Sequence, residues 1–134
     1  MVLLILLLTT LTAPLHAETW SNDALEEKAA SYLKLLDLGQ YEKAWHDMSA
    51  LFHDFNNPLH WQKRQETIRN VYGASDTRRL HSIRYRQSYN LSPDGQYVVV
   101  QFNSSYQNKS ETRETVVLDC SSNPQCSVRE YIIQ

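Results

Sequence analysis

Glycine and proline are scarce in this chain, with three and four among 134 residues, and that excludes flexible linkers and low-complexity segments. Charge of one sign is lacking as well. Thirteen Lys and Arg stand against fifteen Asp and Glu, a net −2, which argues against nucleic acid as a partner. No apolar run approaches the roughly 20 residues that a membrane span requires. No segment repeats another, so solenoid and array architectures are excluded. A Gly-rich phosphate loop, His-Glu-x-x-His and Gly-x-Ser-x-Gly are all missing. No catalytic residue, cofactor or metal is therefore assigned from motifs.

What is there begins with an uncharged opening. The first charged side chain is Glu18, and Val2 to Leu8 is a Leu/Ile/Val run followed by Leu15-His16-Ala17. This is the apolar region and small-residue end of a signal peptide, expected over residues 1–17 and cleaved after Ala17. It predicts an exported protein, periplasmic or secreted, with no stable membrane insertion once the leader is removed. Residues 18–134 are one domain's length of chain and enough to bury a core. The two cysteines, Cys120 and Cys126, flank Ser-Ser-Asn-Pro-Gln. That turn-forming stretch brings the thiols together, and in an exported protein they are expected to pair as a disulfide. Closing so short a loop stabilises the fold by roughly 2 kcal/mol in the chain-entropy model.

The mature part divides into a helical half and an extended half. Ser21, Asn22 and Asp23 are capping candidates for a first helix, which Gly39 stops; its apolar stripe is Leu25, Ala29, Tyr32 and Leu36. A second helix is predicted from Tyr41 through Phe55, with Tyr41, Trp45, Met48, Phe52 and Phe55 on one face. That wide aromatic face reads as core. A third opens at Asn57-Pro58 and closes at Gly73, with Trp61, Ile68 and Tyr72 as its stripe. From Thr77 the period becomes two. Ile83, Tyr85, Tyr89 and Leu91 share one strand face, Arg84 and Arg86 the other, and Pro93-Asp94-Gly95 turns the chain. Strands follow from Tyr97 to Tyr106, Glu111 to Cys120 and Cys126 to Ile133. Three helices before four antiparallel strands predict a two-layer α+β domain with the helices across one face of a curved sheet.

The run Ala30 to Trp45, Ala-Ser-Tyr-Leu-Lys-Leu-Leu-Asp-Leu-Gly-Gln-Tyr-Glu-Lys-Ala-Trp, resembles the opening of a bacterial exported family, domain of unknown function 4019. The similarity continues through Trp61, Arg69, Gly73 and Arg78. It resumes at Pro93-Asp94-Gly95-Gln96-Tyr97-Val98-Val99-Val100 and Glu114-Thr115-Val116, and ends at Tyr131. Cys126 and Glu130 depart from it, standing where the family usually has tryptophan and glycine. That family is similar to the cone-shaped nuclear-transport-factor-two-like superfamily, which is cystatin-like in fold. The resemblance implies bacterial export and helices that enclose a pocket against a bent sheet, and dimerisation through the outer sheet face is common in the superfamily. It implies no activity, because isomerases, dehydratases and non-catalytic modules share that fold.

Within such a pocket Asp37, His81, Tyr85 and Tyr89 are the candidate residues. A carboxylate base and a tyrosine hydroxyl that stabilises a developing oxyanion are what ketone isomerisation requires; the competing reading is ordinary sheet packing and a helix end. His46 and His53 are two helical turns apart, about 10 Å, too far to share a metal from one helix. Charge is unevenly placed. Residues 18–60 hold eight acidic and three basic side chains, whereas residues 61–86 hold seven basic and two acidic. Arg69, Arg78, Arg79, Arg84 and Arg86 are thus either partners of the acidic helices or an anion-binding face. Asn103-Ser104-Ser105 and Asn108-Lys109-Ser110 match glycosylation sequons but read as strand and turn residues in a bacterial protein. The leading expectation is a non-catalytic accessory or binding module that contacts a protein or a small ligand. The alternatives are a pocket enzyme of the isomerase or dehydratase type and an immunity-type inhibitor of an exported toxin.

Overall fold

The computed structural model describes residues 20–122 and 125–134; the leader expected over residues 1–17 lies outside them. Four helices come first: α1 (Asn22–Asp37), α2 (Tyr41–Asp47), α3 (Ala50–Phe55) and α4 (Pro58–Tyr72). Four strands follow: β1 (Ser75–Arg86), β2 (Tyr97–Tyr106), β3 (Lys109–Asp119) and β4 (Ser127–Ile133). The strands form one open antiparallel sheet in the order of the chain. Among the described residues the α+β class and the four-strand count agree with the sequence reading, but there are four helices rather than three.

α1 forms where its capping residues predict. The Ser21 hydroxyl accepts from the Ala24 amide, and the chain leaves the helix through Gly39 at φ 69°. There Gln40 N–H donates to the Leu35 carbonyl and Gly39 N–H to that of Leu36, an exit that favours a residue without Cβ. The predicted stripe of Leu25, Ala29, Tyr32 and Leu36 is buried in full. It packs on Val98, Val100, Phe102, Val116, Leu118 and Val128 of the sheet. α4 likewise starts at Pro58, with the Asn57 side chain accepting from the Leu59 and His60 amides, and ends at Gly73.

The second predicted helix is two helices. Its apolar spacing is continuous, yet Met48 is extended and pairs with Val128 as a short parallel bridge. Ser49 N–H donates to the Val128 carbonyl, and the Ser49 hydroxyl accepts from Phe52 N–H as the cap of α3. Side-chain periodicity cannot register this break, because the gain comes from hydrogen bonds to the free edge of β4. Trp45 and Phe52 still pack on the core, whereas Phe55, expected there as well, is 78% exposed.

The sheet also departs from a uniform alternation. β1 slips register against β2 between Leu80 and Ser82. Before the slip Arg78 and Leu80 pair with Ser104 and Phe102; after it Ile83 and Tyr85 pair with Val100 and Val98. One extra residue thus moves the helix-facing positions from even to odd numbers. β1 ends at Arg86, so Tyr89 and Leu91 belong to the following loop rather than to the strand, and Leu91 is 97% exposed. Cys120 and Cys126 are disulfide-bonded and buried, tying the end of β3 to the start of β4.

Candidate functional site

Between the helices and one end of the sheet lies a network of charged and tyrosine side chains from six elements. Arg78 of β1 is its centre. Its Nε donates to Glu114 Oε1 at 2.8 Å, and its two terminal nitrogens to Asp37 Oδ2 at 2.9 Å and to the Tyr106 hydroxyl at 3.0 Å. Glu114 of β3 is fully buried. Its second oxygen accepts from the hydroxyls of Tyr106 and Tyr131, each at 2.8 Å. Arg69 of α4 donates to the Tyr131 hydroxyl at 3.1 Å, forms an ion pair with Asp37 at 3.4 Å, and lies over the Tyr106 and Tyr131 rings. Two guanidiniums thus meet two carboxylates, and the group carries no net charge.

Burial and pairing pull these groups in opposite directions. Burial alone would raise the Glu114 carboxyl, but the hydrogen bonds and charge of Arg78 outweigh it and hold the group below the usual carboxylate range. Burial likewise works against the charged form of Arg78, yet Asp37 and Glu114 keep that guanidinium more firmly protonated than a free one. The Tyr106 and Tyr131 hydroxyls are pushed up, first by burial and then by the Glu114 charge beside them. Both tyrosines therefore act as donors to a glutamate held ionised at neutral pH.

A second feature opens beside this network. α3, α4 and β4 frame a groove of about 530 Å³. Its floor holds Met48 and Trp61, both buried, and its mouth carries the exposed Phe55 and Leu91. Trp45 packs behind Trp61 at 5.5 Å between ring centroids. Arg64 and Arg129 also line the groove, and neither forms an ion pair among the described residues. Glu130 lines it too, but accepts from the Tyr89 hydroxyl, whose pKa is pushed up to about 12 by burial and by that carboxylate. Arg129 Nε donates to the Ser92 hydroxyl at 2.8 Å.

The four pocket candidates are not brought together. Asp37 belongs to the network, bonded to Arg78 rather than to a tyrosine. His81 falls at the β1 bulge, exposed, 3.5 Å from the Asn103 side-chain nitrogen. Tyr85 is 61% exposed and donates to Asn22 at the start of α1. Tyr89 sits in the loop against Glu130. The arginines divide as well. Arg69 and Arg78 pair with acidic groups inside the fold, whereas Arg79, Arg84 and Arg86 are exposed and pair with Asn103, Val99 and Tyr97 across β1 and β2. Serine at both Arg84 and Arg86 is expected to leave unfolding free energy within about 0.5 kcal/mol; urea denaturation checks this, and a loss of several kcal/mol would make them structural. His53 stacks on Trp45, and its Nε2 lies 2.7 Å from the Trp45 carbonyl oxygen. Among the described residues no three His, Cys, Asp or Glu are grouped to hold a metal.

Tyr106 and the role of Glu114 escaped the reading of pattern alone. A signal was present: Val116 and Leu118 are core residues, so the period of two places Glu114 on the same inward face. A carboxylate there demands a cation. Neither the curated proteins nor the solved structures give a match to this chain. Residues 28–131 match the family described as protein of unknown function (DUF4019). That span includes Asp37, Arg69, Arg78, Tyr106, Glu114 and Tyr131, and the chain belongs to this family.

Proposed function

We propose that this protein is an exported bacterial binding module without catalytic activity, built on the nuclear-transport-factor-two-like plan, which takes a small apolar ligand into the groove between α3, α4 and β4. The observation that carries this reading is a contrast between the two features. The carboxylates inside the helix–sheet cleft are committed to arginines, while a groove that includes Met48, Phe52, Trp61 and Ile68, with exposed Phe55 and Leu91 at its mouth, has no covering element among the described residues. A proton-transfer enzyme works best with a base poised near the working pH and a hydroxyl free to meet developing charge. Here Glu114 is held well ionised, and both neighbouring tyrosines already donate to it. The groove volume falls within the roughly 300–1,000 Å³ of small-molecule sites. Helices preceding a bulged antiparallel sheet support the superfamily assignment, and the disulfide is compatible with an oxidising compartment.

Expression with its own leader, followed by fractionation and mass spectrometry of a solvent extract of the purified protein, tests the proposal. The expected result is periplasmic protein carrying a small apolar compound that a Phe55→Asp variant does not carry. Cytoplasmic protein with an intact leader, or the same extract from both forms, would overturn it.

A further inference from the structure

Resting on that groove reading, we infer that the ligand is a single-chain anionic amphiphile, an acyl chain ending in a carboxylate or a similar oxyanion. The walls specify the chain: Met48, Phe52, Trp61 and Ile68 present hydrocarbon and aromatic surface, and Phe55 and Leu91 extend it to the mouth. The charges specify the head. Arg64 and Arg129 bring two guanidiniums to the same groove, and neither has an acidic partner among the described residues. Among the described residues Glu130 is the lone lining carboxylate, engaged by the Tyr89 hydroxyl, and the Ser92 hydroxyl takes one N–H of Arg129 while its remaining guanidinium donors have no other partner there. Guanidiniums match carboxylate geometry with paired hydrogen bonds. A cationic head would meet repulsion at the same place, and a neutral one would leave both arginines unmatched. The half-enclosed shape commits the groove to one chain in monomeric form rather than to a bilayer surface, whose binding would need a broad basic face.

The full mature protein is titrated with dodecanoate and with dodecyltrimethylammonium below their micelle concentrations, followed by calorimetry and by the fluorescence of its three tryptophans, of which Trp61 lines the groove. Dodecanoate is expected to bind saturably at one site, about tenfold or more tighter than the cation, a difference that one charge-assisted hydrogen bond supplies. Serine at both Arg64 and Arg129 is expected to remove that preference while chain binding persists, and Phe55→Asp to weaken both ligands with circular dichroism unchanged. Equal affinity for the two heads, or a preference that survives in the double arginine variant, overturns the anionic assignment but leaves the groove reading standing. Absence of saturable binding by either amphiphile overturns both. Flotation with phosphatidylglycerol vesicles without monomer binding would likewise sink the single-chain assignment.

Discussion

Replacing Glu114 with glutamine is expected to lower the unfolding free energy by about 3–5 kcal/mol, the usual cost of removing one partner from a buried ion pair. The carboxylate is fully buried and accepts from Arg78, Tyr106 and Tyr131. Glutamine keeps the shape but presents an amide N–H₂ where at least one of those donors now points, and it leaves Arg78 with Asp37 alone. For a domain of this size the melting midpoint should fall by roughly 4 °C or more per kcal/mol. The same residue sets an acid limb. Because its folded pKa is depressed, its stabilisation is present above the unfolded value of 4.5 and is lost as pH falls through the lower folded value. Urea midpoints measured from pH 7 to pH 3 should therefore drop below about pH 4.5 in the native protein and drop less in Glu114→Gln. A variant within 1 kcal/mol of native at pH 7 would show that the network is not an energetic centre of the fold.

Arg78→Met should cost a similar amount at neutral pH but with the opposite pH dependence. Methionine fills much of the arginine volume and removes the charge that stabilises both Asp37 and Glu114. Two carboxylates then remain near each other, one fully buried, and desolvation is no longer outweighed. The folded pKa of Glu114 rises above its unfolded value. A group with a raised folded carboxyl pKa binds its proton preferentially in the native state, so stability grows as pH falls toward 5. Over that interval the native protein shows no such gain from this group. The double variant with Glu114→Gln should be more stable than the two single losses predict when added, by about 0.5–3 kcal/mol, since each removes the other's unmatched partner. Additive losses, or an Arg78→Met profile that declines between pH 7 and pH 5, would contradict the pairing.

Cys126 and Glu130, the two positions at which the sequence resemblance implies a departure, both have structural employment. Cys126 is disulfide-bonded to Cys120, and Glu130 accepts from the Tyr89 hydroxyl and so helps to hold the loop that carries Leu91 to the groove mouth. Ser92, one residue further, is held to Arg129 of the same strand. The loop between β1 and β2 and strand β4 are thereby joined by two side-chain bonds.

How much was legible in the residues follows from the range of the forces involved. Helix ends and turns are local: Ser21, Gly39, Asn57 and Gly73 act through hydrogen bonds within a few residues, and each stands where it was expected. The inward stripe of α1 and the strand from Tyr97 to Tyr106 were equally readable, because burial repeats with the backbone period. The break at Met48 was not, for its compensation is a bond to Val128, far along the chain. Nor was the network. The bulge in β1 between Leu80 and Ser82 sets Arg78 and Ile83 on one face and takes His81 off the face of Ile83 and Tyr85, and alternation counted along the chain carries no trace of an inserted residue that only a partner strand can reveal. Sequence by itself determined the class of fold, the order of helices before four strands and the inward apolar stripe of α1. Tertiary structure alone decided which arginines are buried partners and which line an open groove, since pairing between charges distant in sequence depends on strand register and not on spacing along the chain.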